Sequence, residues 1–264
     1  MPHTFDPGYG AAPFKGLCET YPDETAYPFA AFRVEWGPIF HRGRLDGSAR
    51  LLVIGQDPAQ HEAAVRRVLI GEAGHRLQGF LSKLGLDRSY VIVNTSLYSA
   101  FNQPAAQAHM NDAAIVAYRH QWLNALLVGS GVEAVVALGN WADAAWQTWK
   151  ATPAGTANTA FYQKITHPTA PRTAAALVTM LQNWNTGLQH LHAHLAHVDT
   201  VKPLVLYGAA FLPAELVEIP EGDLPPGIPA WMRAANAWAT RVGATAAAKR
   251  LSIKATVPAG IVPP

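Results

Sequence analysis

Three side chains stand where short apolar runs end, and each is of a type that moves protons or reads polar edges. Arg50-Leu51-Leu52-Val53-Ile54 runs into Gly55-Gln56-Asp57-Pro58, a glycine turn bearing an amide and a carboxylate. Val91-Ile92-Val93 ends in Asn94, and Ile165-Thr166 in His167, followed by Pro168-Thr169. Open α/β sheets place their chemistry at such strand ends. A carboxylate there can position water and stabilise a cation, an imidazole can donate to a developing anion, and an Asn amide offers one donor and one acceptor. Each also has a plainer use: Asp57 can cap the turn before Pro58, Asn94 can cap a strand end, and His167 can satisfy a loop carbonyl. Gly-Gln-Asp-Pro alone leaves the two uses of Asp57 balanced, and an isolated His-Pro favours the loop role. The ordered series shifts the balance toward a site.

The elements that must position these groups are legible as short, apolar, β-branched runs near 50–54, 90–94, 133–138 and 161–166, the pattern of strands covered on both faces. Helical patterns separate them at 75–84, 112–129 and 141–150, with another at 172–196; Gly71-Glu72-Ala73-Gly74 could open the first. Strand–helix alternation predicts an α/β fold, a three-layer αβα sandwich around a mostly parallel four-stranded sheet. A further helix is expected within 24–36, and residues 152–159 read as a turn region. The α/β domain is predicted over 1–197, with 198–264 as a C-terminal extension packed on it. That extension holds the apolar run Leu204-Val205-Leu206-Tyr207, a Pro-rich link over 220–229, a predicted helix over 230–249 and an irregular end over 257–264.

With 264 residues and 50% apolar content, the chain can bury a large core in one or two domains. The net charge of +2 decides little about partners. Cys18 is the single cysteine, which excludes an internal disulfide and any four-cysteine zinc or iron–sulfur site within one chain. His190, His192, His194 and His197 have helix-compatible spacing but no His-Glu-x-x-His pattern, so a solvated helix end is expected rather than a metal site. Trp122, Trp141, Trp146, Trp149 and Trp184 sit at helical positions and are expected in the core rather than on a stacking platform for single strands. No apolar stretch of about eighteen residues suggests a membrane span, and the N-terminus lacks the regions of a secretory signal. A cytoplasmic monomer is the default expectation.

Taken in order, these segments resemble the uracil-DNA glycosylase superfamily over roughly residues 33–185. Gly55-Gln56-Asp57-Pro58 looks like the water-activating motif of its classical branch. His167-Pro168-Thr169 resembles the second motif, usually His-Pro-Ser, whose following loop wedges into the duplex. Val93-Asn94 resembles the strand end bearing the base-reading Asn, whereas Gly71-Glu72-Ala73-Gly74 is closer to the iron–sulfur branches. The resemblance implies hydrolysis of the N-glycosidic bond of a base flipped out of DNA. Asp57 would activate water, His167 would donate to the departing base, and Gln56 and Asn94 would recognise it. Uracil presents an edge matching the Asn amide, and cytosine reverses that edge. Pro168, Thr169 and Arg172 would contact DNA, with Arg172 a phosphate ligand. No metal or organic cofactor is implied, and no motif lysine offers a lyase nucleophile.

Two departures matter. Classical members carry a tyrosine after the motif proline, where it blocks the thymine methyl group; Ala59 stands there, implying a more open pocket tolerant of thymine-like or etheno-modified bases. The aromatic that stacks on the base in the iron–sulfur branches is replaced, by alignment through Gly71, by Leu69, leaving Phe80, Tyr98 or Phe101 as alternative stacking groups. The main expectation is a monofunctional glycosylase acting on DNA with uracil or damaged bases. Its alternatives are a uracil-DNA binding protein with little turnover, against which the presence of Asp57 argues, and an α/β hydrolase of free nucleosides, which would show no dependence on strand length.

Overall fold

The computed structural model describes residues 8–235 and 237–260. Its centre is a five-stranded sheet formed by β1 (His41–Gly43), β2 (Leu51–Gly55), β3 (Tyr90–Asn94), β4 (Ala134–Leu138) and β5 (Phe161–Ile165), in spatial order β1-β3-β2-β4-β5. The last four run parallel, and β1 lies antiparallel on β3. Every residue of β2 and β4 is buried because helices cover both faces. Leu52, Ile54, Val91 and Val135 pack on one side, and Leu51, Val53, Ile92 and Val136 on the other. Each such side chain contributes about 1.5–3 kcal/mol through burial.

The helices that bear on the sheet and its site are α1 (Gln60–Val65), α2 (Glu72–Lys83), α3 (Gln103–His109), α4 (Ala113–Leu127), α5 (Gly139–Lys150) and α6 (Ala174–His194). The parallel sheet and its layers match the sequence expectation, and β1 is the strand that pattern reading missed. It is only three residues long, and its central Arg42 is fully buried, so it carries no apolar signal. Arg42 is neutralised by Asp223 at 2.9 Å, and Tyr90 donates to the same carboxylate at 2.6 Å. Removing one partner of such a pair costs about 3–5 kcal/mol, because the other charge stays buried.

One predicted helix is absent and another is broken in two. Within 24–36, Phe32–Arg33 pairs antiparallel with Ser99–Ala100, followed by a 3₁₀ turn at Val34–Trp36. Arg33 binds Ser99 and the Ala100 carbonyl, an interaction local propensity could not reveal. Over 230–249 the helix stops after Ala234; Ala239–Arg241 then pairs with Ile253–Ala255, and a short helix forms only at Ala246–Leu251. Residues 152–159, expected as a turn, include the short helix Pro153–Ala157, capped by the Thr152 hydroxyl.

The late histidines do not gather. His194 stacks on Phe161, His190 meets Gln163, and His197, beyond the end of α6, bonds Glu133. Among the described residues no three metal-ligating side chains converge, and no helix is long and apolar enough to cross a membrane.

Candidate active site

The carboxyl ends of β2 and β3 are in register, with Gly55 opposite Asn94. A side chain at residue 55 would bring its Cβ within 2.3 Å of Asn94 Oδ1, so glycine is required for the Asn94 amide to lie across that strand end. Both polar atoms of this amide are buried, and neither has a hydrogen-bond partner among the described residues. Such groups are costly, about 1–3 kcal/mol each, and natural proteins retain few of them. Leu69 is the other side chain that reaches over Gly55, with Cδ1 3.7 Å from the same Cβ position. Its backbone is left-handed, φ 54°, an uncommon state for leucine. Glu62 over-determines that loop. Its carboxylate accepts from Ile70 N–H at 2.8 Å on one oxygen and from Ala59 N–H at 2.9 Å on the other. Glu62 thus ties the Leu69 loop to the turn carrying Asp57, and nothing in the motif pattern singled it out.

Asp57 leaves the sheet at the turn after β2. One carboxylate oxygen accepts the Ala100 N–H at 2.9 Å, and the other accepts from Gln56 Nε2 at 3.1 Å, with Gln103 Nε2 farther off at 3.5 Å. Gln56 also donates to Gln103 Oε1 at 3.0 Å. Gln103 was not foreseen; it opens α3, whose Asn102 cap accepts from Ala105 N–H at 3.2 Å. Burial raises the Asp57 pKa above the ordinary carboxylate value, opposed by the Ala100 N–H and the two amides, while Glu62 pushes the same way as burial. The result is a desolvated carboxylate of increased basicity, held by neutral donors and with no cation in ion-pair contact among the described residues.

His167 follows β5 across from the end of β4. Gly139 adopts φ 83°, and a Cβ there would stand 3.2 Å from His167 Cβ, so α5 can begin this close only with glycine. The strand end is pinned from α6: Asn183 Oδ1 accepts Thr166 N–H at 2.7 Å, and Trp184 Nε1 donates to Thr166 O at 2.8 Å. Arg76 of α2 donates to Pro168 O at 2.6 Å and also pairs with Glu72. The Thr169 N–H points at His167 Nδ1 from 3.3 Å, which places the imidazole proton on Nε2. Burial pushes the His167 pKa down to about 4, so the ring is neutral near pH 7.

His167 and Gln56 line one cleft of about 430 Å³, together with Asn140, Trp141, Lys164 and Asn183. Asp57 is joined to this cleft through Gln56, and Asn94 does not line it. A separate enclosed space of about 20 Å³ lies beside Asn94, bounded by Tyr27, Phe40, Arg119 and Trp122. Trp122, Trp146, Trp149 and Trp184 are buried as expected, and Trp141 packs half-buried against the core while also forming part of the cleft wall. Of the alternative stacking groups, Phe80 is fully buried against Trp184 and Tyr98 is buried against Tyr27. Phe101 is covered by the guanidinium groups of Arg33 and Arg250. Leu69 alone of these lies beside Asn94. Ala59 and Arg172 are exposed, Thr169 is half-buried and Pro168 is buried.

A basic, desolvated carboxylate after β2, a neutral imidazole after β5 and, at the end of β3, an amide without a partner among the described residues therefore stand at the carboxyl ends of one sheet, with β4 between β2 and β5. A family model described as the Uracil DNA glycosylase superfamily matches residues 42–175, just over half of the 264. No curated protein matches the chain.

Proposed function

The chain belongs to the uracil-DNA glycosylase superfamily, and on that premise we propose that it hydrolyses the N-glycosidic bond of uracil, and of other deaminated or damaged pyrimidines, in DNA. Asp57 orients water toward the sugar carbon and stabilises the oxocarbenium-like sugar. His167 donates Nε2–H to the base oxygen as negative charge develops there, and Gln56 and Asn94 bind the flipped base. Thr169 and Arg172 contact the strand from the loop that Pro168, itself buried, begins. The observation that carries the reading is the Asn94 amide: a buried donor–acceptor pair without a partner among the described residues suits a ligand edge that presents the complementary pair. The test is release of base from labelled uracil-containing DNA, revealed by alkaline cleavage at the abasic site. Strand scission without alkali would contradict the monofunctional part of the reading.

Asn94→Ala separates recognition from folding. It removes an amide that bonds nothing among the described residues, so the denaturation midpoint should not fall. The rate on uracil should drop about 10–100-fold for the lost base hydrogen bonds. A sharp loss of stability with little change in rate would return Asn94 to a structural role.

Ala59→Tyr tests the pocket width. Ala59 N–H anchors Glu62 through the backbone, which the substitution leaves intact. The ratio of rates on thymine-like or etheno bases to the rate on uracil should fall about 10–200-fold, the range that apolar fit provides. An unchanged ratio would mean that residue 59 does not border the base.

A further inference from the structure

Charge is divided unevenly along this chain. All eighteen carboxylates lie within residues 1–223, together with fifteen of the twenty Lys and Arg, so that part carries a net charge of −3. Residues 224–264 hold the other five cations and no Asp or Glu, for a net charge of +5. The family match ends at residue 175, well before this segment. The α/β domain over 1–197 is nearly neutral, with 14 Lys and Arg against 13 Asp and Glu, and residues 198–223 hold five carboxylates and one lysine, so the unbalanced positive charge of the chain is concentrated after Asp223.

The cationic segment is fastened beside the Asp57 turn. Ala239 N–H donates to His61 Nε2 at 3.1 Å, Gln60 Nε2 donates to Ala239 O at 3.3 Å, and the His61 ring meets Trp238 edge-on at 5.0 Å. Gln60 and His61 begin α1, three and four residues after Asp57. Arg250 reaches the same shoulder from the other side, bonding Glu35 at 2.5 Å and Phe32 O at 2.5 Å; Phe32 pairs with Ala100, whose N–H holds Asp57. Two of the five cations are spoken for, Arg250 by Glu35 and Arg233 by Glu218. Arg241, Lys249 and Lys254 are exposed and have no acidic partner among the described residues. The two-stranded ribbon and the short helix that carry them are held in place by Trp238, His61 and Arg250. Their charges are therefore presented from an ordered surface, on the side of the site formed by the Asp57 turn.

We infer that the segment after Asp223 is a cationic arm that grips phosphates of the DNA strand flanking the target nucleotide, through Arg241, Lys249 and Lys254. This rests on the glycosylase reading and assigns part of its DNA contact to a region outside the family match. A phosphate contact makes affinity fall with salt, with a slope of log K against log salt of about −0.9 per phosphate on duplex DNA.

The experiment is fluorescence anisotropy of the full chain with a labelled undamaged duplex, from about 50 to 200 mM salt. It compares wild type with the triple variant Arg241→Gln, Lys249→Gln, Lys254→Gln and the double variant Lys249→Gln, Lys254→Gln. The triple variant should lose about 2–3 units of slope and bind at least about tenfold more weakly at the low-salt end. The double variant should lose about two thirds as much slope, with thermal midpoints unchanged in both. If wild type binds and the variants follow the same salt line, the arm is not a DNA contact, and the glycosylase reading stands. If wild type shows no salt-dependent binding, both fall together.

Discussion

Asp57→Asn is expected to lower the single-turnover rate of uracil release by about 10²–10⁴-fold and to leave DNA binding intact. The substitution preserves shape, and an amide oxygen can still accept the Ala100 N–H now held at 2.9 Å. It removes the charge that attracts the water proton and opposes the positive sugar. Burial, which raises the Asp57 pKa, makes the ionised form a stronger base at some cost to the fold. A carboxyl with a raised folded-state pKa binds more protons folded than unfolded, so its contribution to stability declines as pH rises from the ordinary carboxylate value through the raised one. Above that window wild type carries the full penalty, and Asp57→Asn should melt no lower, and by this argument higher, at pH 7. The wild-type rate should rise with pH through the same window, and the variant should lose that limb. Unchanged turnover, or a variant that unfolds, would take the water-activating role away from Asp57.

His167→Ala should cost about 10²–10³-fold in the same assay, the loss measured for a single donor to a developing oxyanion. Thr169 N–H occupies Nδ1, so the neutral ring presents Nε2–H. With a folded-state pKa near 4 against 6.5, the imidazole is uncharged throughout the neutral range. Activity should therefore show no limb assignable to His167 between about pH 6 and 8. Here the folded chain binds fewer protons than the unfolded one, so stability is lost as pH falls from 6.5 toward 4, and His167→Ala should flatten that slope. A wild-type rate that tracks protonation of an imidazole near 6.5 would mean that the ring acts charged, contrary to its burial.

The parallel strands and their order of appearance could be read from the chain because a strand covered on both faces must be apolar along its length. Leu51–Ile54, Val91–Val93 and Val135–Leu138 have no other use for such runs. The strand-end positions of Asp57 and Asn94 follow from the same local signal, since a polar residue after a buried run marks where the strand leaves the core; β5 before His167 is half-exposed, with only Ile165 buried, and gives that signal weakly. The long helices were legible for the related reason that their apolar spacing is local.

What tertiary structure alone decided is every feature that depends on a partner distant in sequence. β1 exists because Asp223 neutralises Arg42 across 181 residues. The 24–36 segment forgoes a helix because Arg33 binds Ser99 and Ala100, and the 230–249 segment breaks because Trp238 and Ala239 dock on His61. Gln103 on Asp57 and Arg76 on Pro168 belong to the same class. Local pattern reports which residues must be buried. Which charge meets which, and therefore the basicity of Asp57 and the proton position on His167, is settled only when the strand ends are brought side by side.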